Sequence, residues 1–240
     1  MRYIINGCTD PWFNMALDEW CLMNAPAGET LCYLWRNAPS VIIGFNQDAR
    51  AEVNLDFLQE KGILLARRVT GGGAVYHDLQ NLNYSFIRPL PPSDRIDEHP
   101  AEVLMIADAL RSFGVDAQVS GRNDIFVDGH KISGYARRVW RDRELIHGTL
   151  MWDVDLDTLT RALDTPESKL HRKGVASVRS RVTNLKDLLP RFSTVLELRD
   201  ALYKALGSPG ATTLTEAQLA EVRAIRDSKF ASPDWIYGRL

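Results

Sequence analysis

Cysteine is scarce in this chain: the 240 residues contain three, Cys8, Cys21 and Cys32, all near the N-terminal end. An odd number with no CxxC spacing and no histidine nearby suggests neither a zinc site nor a disulfide framework. Reduced thiols are expected, and no thiol nucleophile exists beyond residue 32. Long apolar runs are missing as well. None approaches the ~20 residues that span a bilayer, and Met1-Arg2-Tyr3-Ile4-Ile5-Asn6 has neither the apolar core nor the cleavage site of a signal peptide. A cytoplasmic protein with no membrane partner is the expectation. Nor does either sign of charge dominate: 29 basic and 31 acidic residues give a net charge of −2, so no global basic field draws nucleic acid.

What is present is ordinary globular material, 45% hydrophobic and 25% charged, enough for one large domain with a sizeable core. Asp10-Pro11 ahead of Trp12–Leu17 predicts an N-cap, a proline at the first helical position and a helix to about Asn24. Leu31–Trp35 and Val41–Phe45 read as short apolar strands on either side of a polar turn. A helix near Asn54–Lys61 closes at Gly62, and a strand to Ala66 follows. Leu82–Ile87 alternates as a strand with one buried face. Then come a helix from about Pro100 to Phe113, a strand at Val115–Val119, and a hairpin in which Asp128-Gly129 joins Asp124–Val127 to Lys131–Ser133. A strand at Leu145–Trp152, a short helix at Leu156–Leu163 and a basic loop at Ser168–Ser180 come next. Capping boxes at Thr194 and Thr215 open the last helices, which end at Gly207 and about Phe230. Helices interleaved with hairpins argue for an α+β fold, a mixed sheet covered by helices, rather than a doubly wound parallel sheet.

Against that background Arg67-Arg68-Val69-Thr70-Gly71-Gly72-Gly73-Ala74-Val75-Tyr76-His77-Asp78 stands out. The glycines let the backbone take φ > 0 and approach a ligand closely, and successive N–H groups in such a turn form an anion-binding concavity. Arg67 and Arg68 at the strand end can add bidentate recognition of a carboxylate or phosphate. The plain alternative is a glycine-rich hairpin turn with solvated arginines. A second stretch pairs Gly121-Arg122-Asn123-Asp124 with Lys131-Ile132-Ser133-Gly134 and His147-Gly148-Thr149. A lysine followed by small residues leaves room for a ligand against the backbone, and its ammonium can stabilise charge on a carboxylate and a phosphate together. Asn123 and Asp124 offer oxygens suited to Mg²⁺ or to a nucleotide.

These blocks resemble lipoate–protein ligases: the RRxxGGGxVxHD motif, then GRND, K(V/I/F)SG and HGT, in order and with similar spacing. Asp10–Asn14, Leu34–Asn37 and Ser177–Leu185 also resemble ligase segments, so the similarity covers essentially the whole chain. The resemblance implies the biotin/lipoate ligase catalytic fold, a mixed, largely antiparallel sheet flanked by helices and akin to class II synthetases. It implies a two-step reaction in which lipoate and ATP form lipoyl-adenylate, which a carrier lysine then attacks. Lys131 matches the family's essential lysine, which the resemblance implies would bridge the lipoate carboxylate and α-phosphate. Arg68, Gly73, Ala74, Val75, Tyr76, Asn123, Asp124 and Arg138 match positions beside the adenylate, with Asp124 a candidate for Mg²⁺. Thr70, Gly72, Gly73, His77 and His147 match positions lining the acyl pocket. For each of the two histidines, a core residue bonded to a backbone carbonyl is the competing reading. The implied partners are lipoyl domains of 2-oxoacid dehydrogenase E2 subunits or glycine-cleavage H-like proteins.

Relatives on the same fold pass the acyl group through a cysteine thioester, but Gly121–Leu185 contains no cysteine, and Cys8, Cys21 and Cys32 are expected on the first strand, first helix and second strand. Biotin ligase is disfavoured because its GRGRxGRxW motif is absent. The chain resembles a single catalytic domain over 1–240, without the family's C-terminal accessory domain, which can be a separate polypeptide. That leaves three versions: a self-sufficient ligase, one half of a two-chain ligase, or a lipoyltransferase using preformed lipoyl-AMP. Outside enzymes, a nucleic-acid or ligand-binding module is the rival. Arg137-Arg138-Val139-Trp140-Arg141-Asp142-Arg143 is basic with an aromatic, though it also reads as an adenylate-proximal loop or a rim for an acidic carrier.

Overall fold

A computed structural model describes residues 1–91, 99–121, 123–163 and 182–238. Arg122, the expected loop at Ser168–Ser180 and the Ser177–Arg181 part of its ligase-like segment lie outside them. Helix α1 (Pro11–Asn24) starts where the Asp-Pro signal places it, with the Asp10 side chain accepting from Trp12 N at 2.9 Å. Its burial is wider than an amphipathic stripe, because α1 has structure on both sides: Phe13, Met15, Leu17, Trp20 and Leu22 are all buried.

Eight strands form one sheet in the order β11-β1-β2-β6-β10-β9-β8-β7. They are β1 (Arg2–Ile4), β2 (Leu31–Trp35), β6 (Asn81–Pro89), β7 (Gln118–Ser120), β8 (Asp124–Val127), β9 (His130–Trp140), β10 (Arg143–Met151) and β11 (Gly210–Thr212). The β11-β1-β2 edge is parallel and the rest antiparallel. A second sheet, β4-β3-β5, joins β3 (Ser40–Ile43), β4 (Leu64–Arg67) and β5 (Val75–His77). The two strands flanking the polar turn at Arg36–Pro39 therefore belong to different sheets. β3 pairs with β4 in parallel and β5 in antiparallel register. β5 itself is missing from the sequence reading, which treats the whole glycine motif as loop.

One face of the large sheet packs against α4 (Ala101–Ser112) and α6 (Val195–Ala205) through Leu82, Tyr84, Phe86, Ile106, Leu110 and Leu198. The opposite face meets α1 and α7 (Glu216–Ile225) through Tyr33, Trp35, Ile87 and Val222. β6 is thus buried on both faces from Asn81 to Ile87, against the expectation of one. The small sheet carries its own core beneath α3 (Leu55–Lys61), α5 (Leu156–Ala162) and α8 (Pro233–Tyr237), with α2 (Ala49–Glu52) at its rim. Asn54 caps α3 and Gly62 ends it at φ 63°, the left-handed position that suits glycine. Thr215 and Gln218 make the expected capping box. At α6 the Thr194 side chain accepts from Glu197 N, but Glu197 returns to Ser193 N, one residue earlier. Asp128 (φ 49°) and Gly129 (φ 76°) form the β8–β9 turn, both with the positive φ of a type I′ hairpin. β9 runs on to Trp140, so the basic stretch is the end of a hairpin rather than a loop. Glu144 holds both Arg137 at 2.6 Å and Arg88 at 3.1 Å.

Candidate active site

β9 and β10 pair from Trp140↔Arg143 to Tyr135↔Gly148 and then part. Past that point Gly134 N donates to Thr149 Oγ1 at 3.3 Å, and the Lys131 backbone pairs instead with the Val182–Thr183 segment. On its other edge β9 bulges: Ile125 opposes Ser133 while Phe126 opposes Lys131, skipping Ile132. A bulge shifts the two-residue side-chain period by one, so Lys131 and Gly134 share a face. The Lys131 ammonium rests over Gly134, where a Cβ would come within 2.8 Å of Nζ. Its partner is Asp124 Oδ1 at 2.7 Å.

This ammonium borders a cavity of about 140 Å³ lined by the large sheet, α1 and the glycine loop. Of the expected residues, Lys131, Asn123, Arg68, Gly72, Gly73, Ala74, Val75, His77 and His147 line it. Four do not. Tyr76 turns away because side chains alternate along β5, and it packs among Val41, Ile43 and Leu65. Thr70 is buried behind the wall and meets the cavity only through His147 and Arg68. Asp124 adjoins it through Lys131. Arg138 donates to Val69 O at 2.6 Å and lies over the Phe45 ring at 5.3 Å.

The expected anion-binding role of Arg67 is corrected by its surroundings. Arg67 is fully buried and donates to the carbonyls of Gly44, Phe45, Gln47, Trp235 and Ile236 at 2.6–3.2 Å. It is a clamp between β4, the turn after β3 and α8. Arg68 faces the other way. It donates to Thr70 Oγ1 and to the carbonyls of Ile42, Gly71 and Gly73, so it ties the glycine loop to β3. Burial pushes its guanidinium down to about 10, which leaves it charged at neutral pH. Only Gly72 of the three loop glycines has positive φ, 96°. The tighter requirement is at Gly44, where a Cβ would lie 2.0 Å from Gly72 O.

A buried relay stands behind the loop. His147 bonds Asp18 Oδ2 through Nδ1 at 2.7 Å and Thr70 Oγ1 through Nε2 at 2.7 Å. Asp18 Oδ1 also accepts from Ser85 Oγ at 2.8 Å and from the Tyr33 hydroxyl. The Asp18 carboxylate only accepts, so His147 Nδ1–H donates to it; in the neutral imidazole Nε2 then accepts from the Thr70 hydroxyl, whose oxygen accepts from Arg68 Nε. The chain Asp18–His147–Thr70–Arg68 links α1 and β10 to the loop. For His147 the backbone-bonded core reading is replaced by this side-chain network, and for His77 by a bond to Asn37 at 3.1 Å. The sequence reading missed Asp18, which sits between Leu17 and Glu19 in a helix where an acid looks solvated. It missed Met15, Trp35, Ile42 and Asn83 as cavity residues for the same reason: their faces are defined only once α1 and the small sheet are laid on the large one.

No cysteine lines the cavity. Cys21 lies on α1 and Cys32 on β2, as expected, but Cys8 follows β1 on a loop. Burial pushes Cys32 up to about 12 and Cys21 well above the ordinary thiol range, the environment of structural rather than nucleophilic sulfur.

Residues 10–207 match the family of the lipoyl protein ligase A/B catalytic domain. The chain is 38% identical over 246 residues to lipoate-protein ligase LplJ of Bacillus subtilis, across 100% of this chain and 74% of that protein. A bipartite lipoate protein ligase from Thermoplasma acidophilum, studied with its E2 lipoyl domain, matches with a TM-score of 0.89 and 31% identity, over 100% of this chain and 96% of that one. A lipoate-protein ligase A bound with ATP matches at 0.83 and 29%, over 100% and 98%. With an ammonium over a glycine at one border of the cavity and a glycine loop at another, and with this similarity along its whole length, the chain belongs to the lipoyl protein ligase A/B catalytic domain family.

Proposed function

We propose that the chain joins lipoate to a lysine of a lipoyl carrier domain through a lipoyl-adenylate, with ATP as the activating substrate. The observation that carries this reading is the Lys131 ammonium, held over Gly134 at the border of the cavity with Asp124 beside it. In the first step a lipoate carboxylate oxygen attacks the α-phosphorus of ATP and pyrophosphate leaves. Lys131 offsets the charge that accumulates there, a task worth on the order of 10²–10³ in rate for one aimed donor. Arg68, Asn123, Arg138 and the backbone from Gly73 to Tyr76 flank the adenylate, while Gly72, Gly73, Thr70, His77 and His147 shape the acyl side. Asp124 is the carboxylate suited to Mg²⁺ travelling with ATP, since Mg²⁺ is held by one or two carboxylates together with substrate phosphates. In the second step the carrier lysine amine attacks the acyl carbonyl, AMP leaves, and the amine proton passes to solvent. Lys131 then polarises the carbonyl oxygen. The carriers fitting this chemistry are E2-type lipoyl domains or H-like proteins, with residues 1–240 acting as one catalytic domain in the cytoplasm.

One observation favours a second version. Arg68 has Nε and Nη2 engaged by the loop carbonyls, so a carboxylate or phosphate that takes these two donors displaces the loop. Transfer from preformed lipoyl-AMP, or activation assisted by a separate accessory polypeptide, fits that arrangement. The test is incubation with lipoate, ATP, Mg²⁺ and a lipoyl domain, followed by the mass of the carrier. Lipoylation by the unaltered chain is expected. Lys131→Ala should keep its melting temperature and lose on the order of 10²–10³ in rate; near-normal turnover would remove Lys131 from the mechanism.

A further inference from the structure

Near Lys131 the cavity is floored by glycine: Gly134 on β9 and Gly148 on β10 both line it. Beneath them, on the other face of the sheet, lies Tyr84 of β6. Tyr84 stands opposite Gly148, which stands opposite Tyr135, where the β9–β10 ladder ends. Residues paired in this way point to one face of a sheet. With no side chain at Gly148, the Tyr84 ring crosses β10 and brings its hydroxyl to Ser133 Oγ on β9, at 3.3 Å. A Cβ on Gly148 would strike the phenol. We infer that Tyr84 is a positioning residue, whose hydroxyl acts through Ser133 to hold the parted segment of β9 and so set where the Lys131 ammonium lies. The inference rests on the proposed role of Lys131 and adds to it a residue on the face of the sheet away from the substrate.

The segment from Lys131 to Gly134 needs such a hold. On one edge it meets β8 through the bulge. A bulge bends its strand, so the course of this segment depends on what secures its other edge. There, among the described residues, two side-chain hydrogen bonds tie it to the neighbouring strands. On the cavity face Thr149 Oγ1 accepts from Gly134 N at 3.3 Å. On the opposite face the Tyr84 hydroxyl meets Ser133. Tyr84 and Ser133 are both fully buried, and among the described residues each hydroxyl has the other as its one hydrogen-bond partner. Burial pushes the phenol well above its usual range, so it keeps its proton.

The ring and the hydroxyl of Tyr84 serve different ends. The ring belongs to the core beneath α4, with the Phe86 ring 6.0 Å away between centroids, and a phenylalanine would fill that space as well. Packing alone therefore gives no reason for a phenol in an apolar cluster. The hydroxyl earns its place at the strand that carries Lys131, whose ammonium lies over Gly134, the residue after Ser133. An ångström of misplacement in a reacting group can cost on the order of 10²-fold in rate, so a hold that removes a fraction of that freedom is visible in turnover.

The test is carrier lipoylation at saturating lipoate, ATP and carrier, below the melting transition. Three variants are compared with the unaltered chain: Tyr84→Phe, Tyr84→Phe with Ser133→Ala, and Tyr84→Phe in a Lys131→Ala background. Tyr84→Phe should lower kcat about tenfold and leave KM for lipoate near that of the unaltered chain. Removing both hydroxyls leaves neither unpaired, which is nearly neutral for stability. The double variant should therefore regain its melting temperature and keep the low kcat. In the Lys131→Ala background the same loss of hydroxyl should change the residual rate little, because effects that run through one residue do not add. Full kcat in Tyr84→Phe, a kcat that recovers with the melting temperature in the double variant, or the same tenfold loss without Lys131 would assign the hydroxyl to the fold alone. Each of these overturns the inference and leaves the ligase reading standing. No lipoylation by the unaltered chain, or a full rate in Lys131→Ala, overturns that reading and the inference with it.

Discussion

Arg67 and Arg68 are neighbours in sequence whose guanidinium groups serve opposite sides of β4, one a clamp on α8 and the other a tie on the glycine loop. The second depends on Asp18 through His147 and Thr70. Asp18→Asn keeps the shape but places an amide N–H₂ or carbonyl where a carboxylate held His147 Nδ1–H. A hydrogen bond to a charged group is worth about 1.5–3 kcal/mol, so carrier lipoylation should fall about tenfold or more in kcat/KM while the chain stays folded. Unchanged kinetics would mean that the relay does not position the loop. His77 makes a separate prediction about pH. Its imidazole is pushed from 6.5 to about 3 by burial, so the unfolded chain binds a proton that the folded chain refuses. The stability this preserves is complete above pH 6.5 and is lost at roughly 1.4 kcal/mol per pH unit as pH falls from there toward 3. Urea midpoints measured from pH 7 to pH 5 should drop for the unaltered chain and drop less for His77→Asn. Lys131 and the glycine motif were legible in the sequence because their chemistry is local. Asp18 and Asn83 were not, because a polar residue in a helix or strand looks solvated until a second element covers it.

At the scale of elements, the site lies where β9 leaves β10, and small residues make the parting possible. A Cβ at Gly148 would meet Tyr84 Oη at 2.3 Å and Gly134 O at 2.9 Å. Gly148→Ala must therefore move a buried tyrosine or the strand that holds Lys131. Overpacking of this kind costs about 1–3 kcal/mol, and the melting temperature and the lipoylation rate should fall together. A variant with the melting point intact and full activity would show that β9 has slack at this point. The β8–β9 hairpin was legible from Asp128-Gly129. The extension of β9 to Trp140 was not, because Arg137 and Arg138 look like loop residues until Glu144 and Val69 are brought opposite them. The separation of β2 and β3 into two sheets was equally hidden: a short polar turn between apolar runs gives no sign of it, and only the distant partners β4 and β5 draw β3 away.

At the scale of the whole molecule, the cavity is walled by two sheets and a helix that the chain visits at widely separated times, so adding or removing one wall should change activation more than transfer. Forming the adenylate requires the carboxylate and phosphate to be held in line, a positioning effect worth roughly 7–11 kcal/mol of barrier, whereas transfer starts from a donor already assembled. Synthetic lipoyl-adenylate should therefore support carrier modification faster than saturating lipoate plus ATP. Equal rates from the two donors would mean that Arg68 and its loop already suit activation. The overall α+β class was legible because helical and hairpin signals alternate along the chain; the arrangement of the two sheets was not, because it depends on contacts between distant segments. The Arg67 clamp shows how distant. Its guanidinium belongs to residue 67, yet two of its acceptors, Trp235 and Ile236, come 168 and 169 residues later in the chain. Until they emerge, Arg67 Nε and Nη2 lack these acceptors, while Nη1 can already pair with the carbonyls of Gly44, Phe45 and Gln47. A nascent chain therefore completes this clamp only after Ile236 has been made, long after the glycine loop it borders.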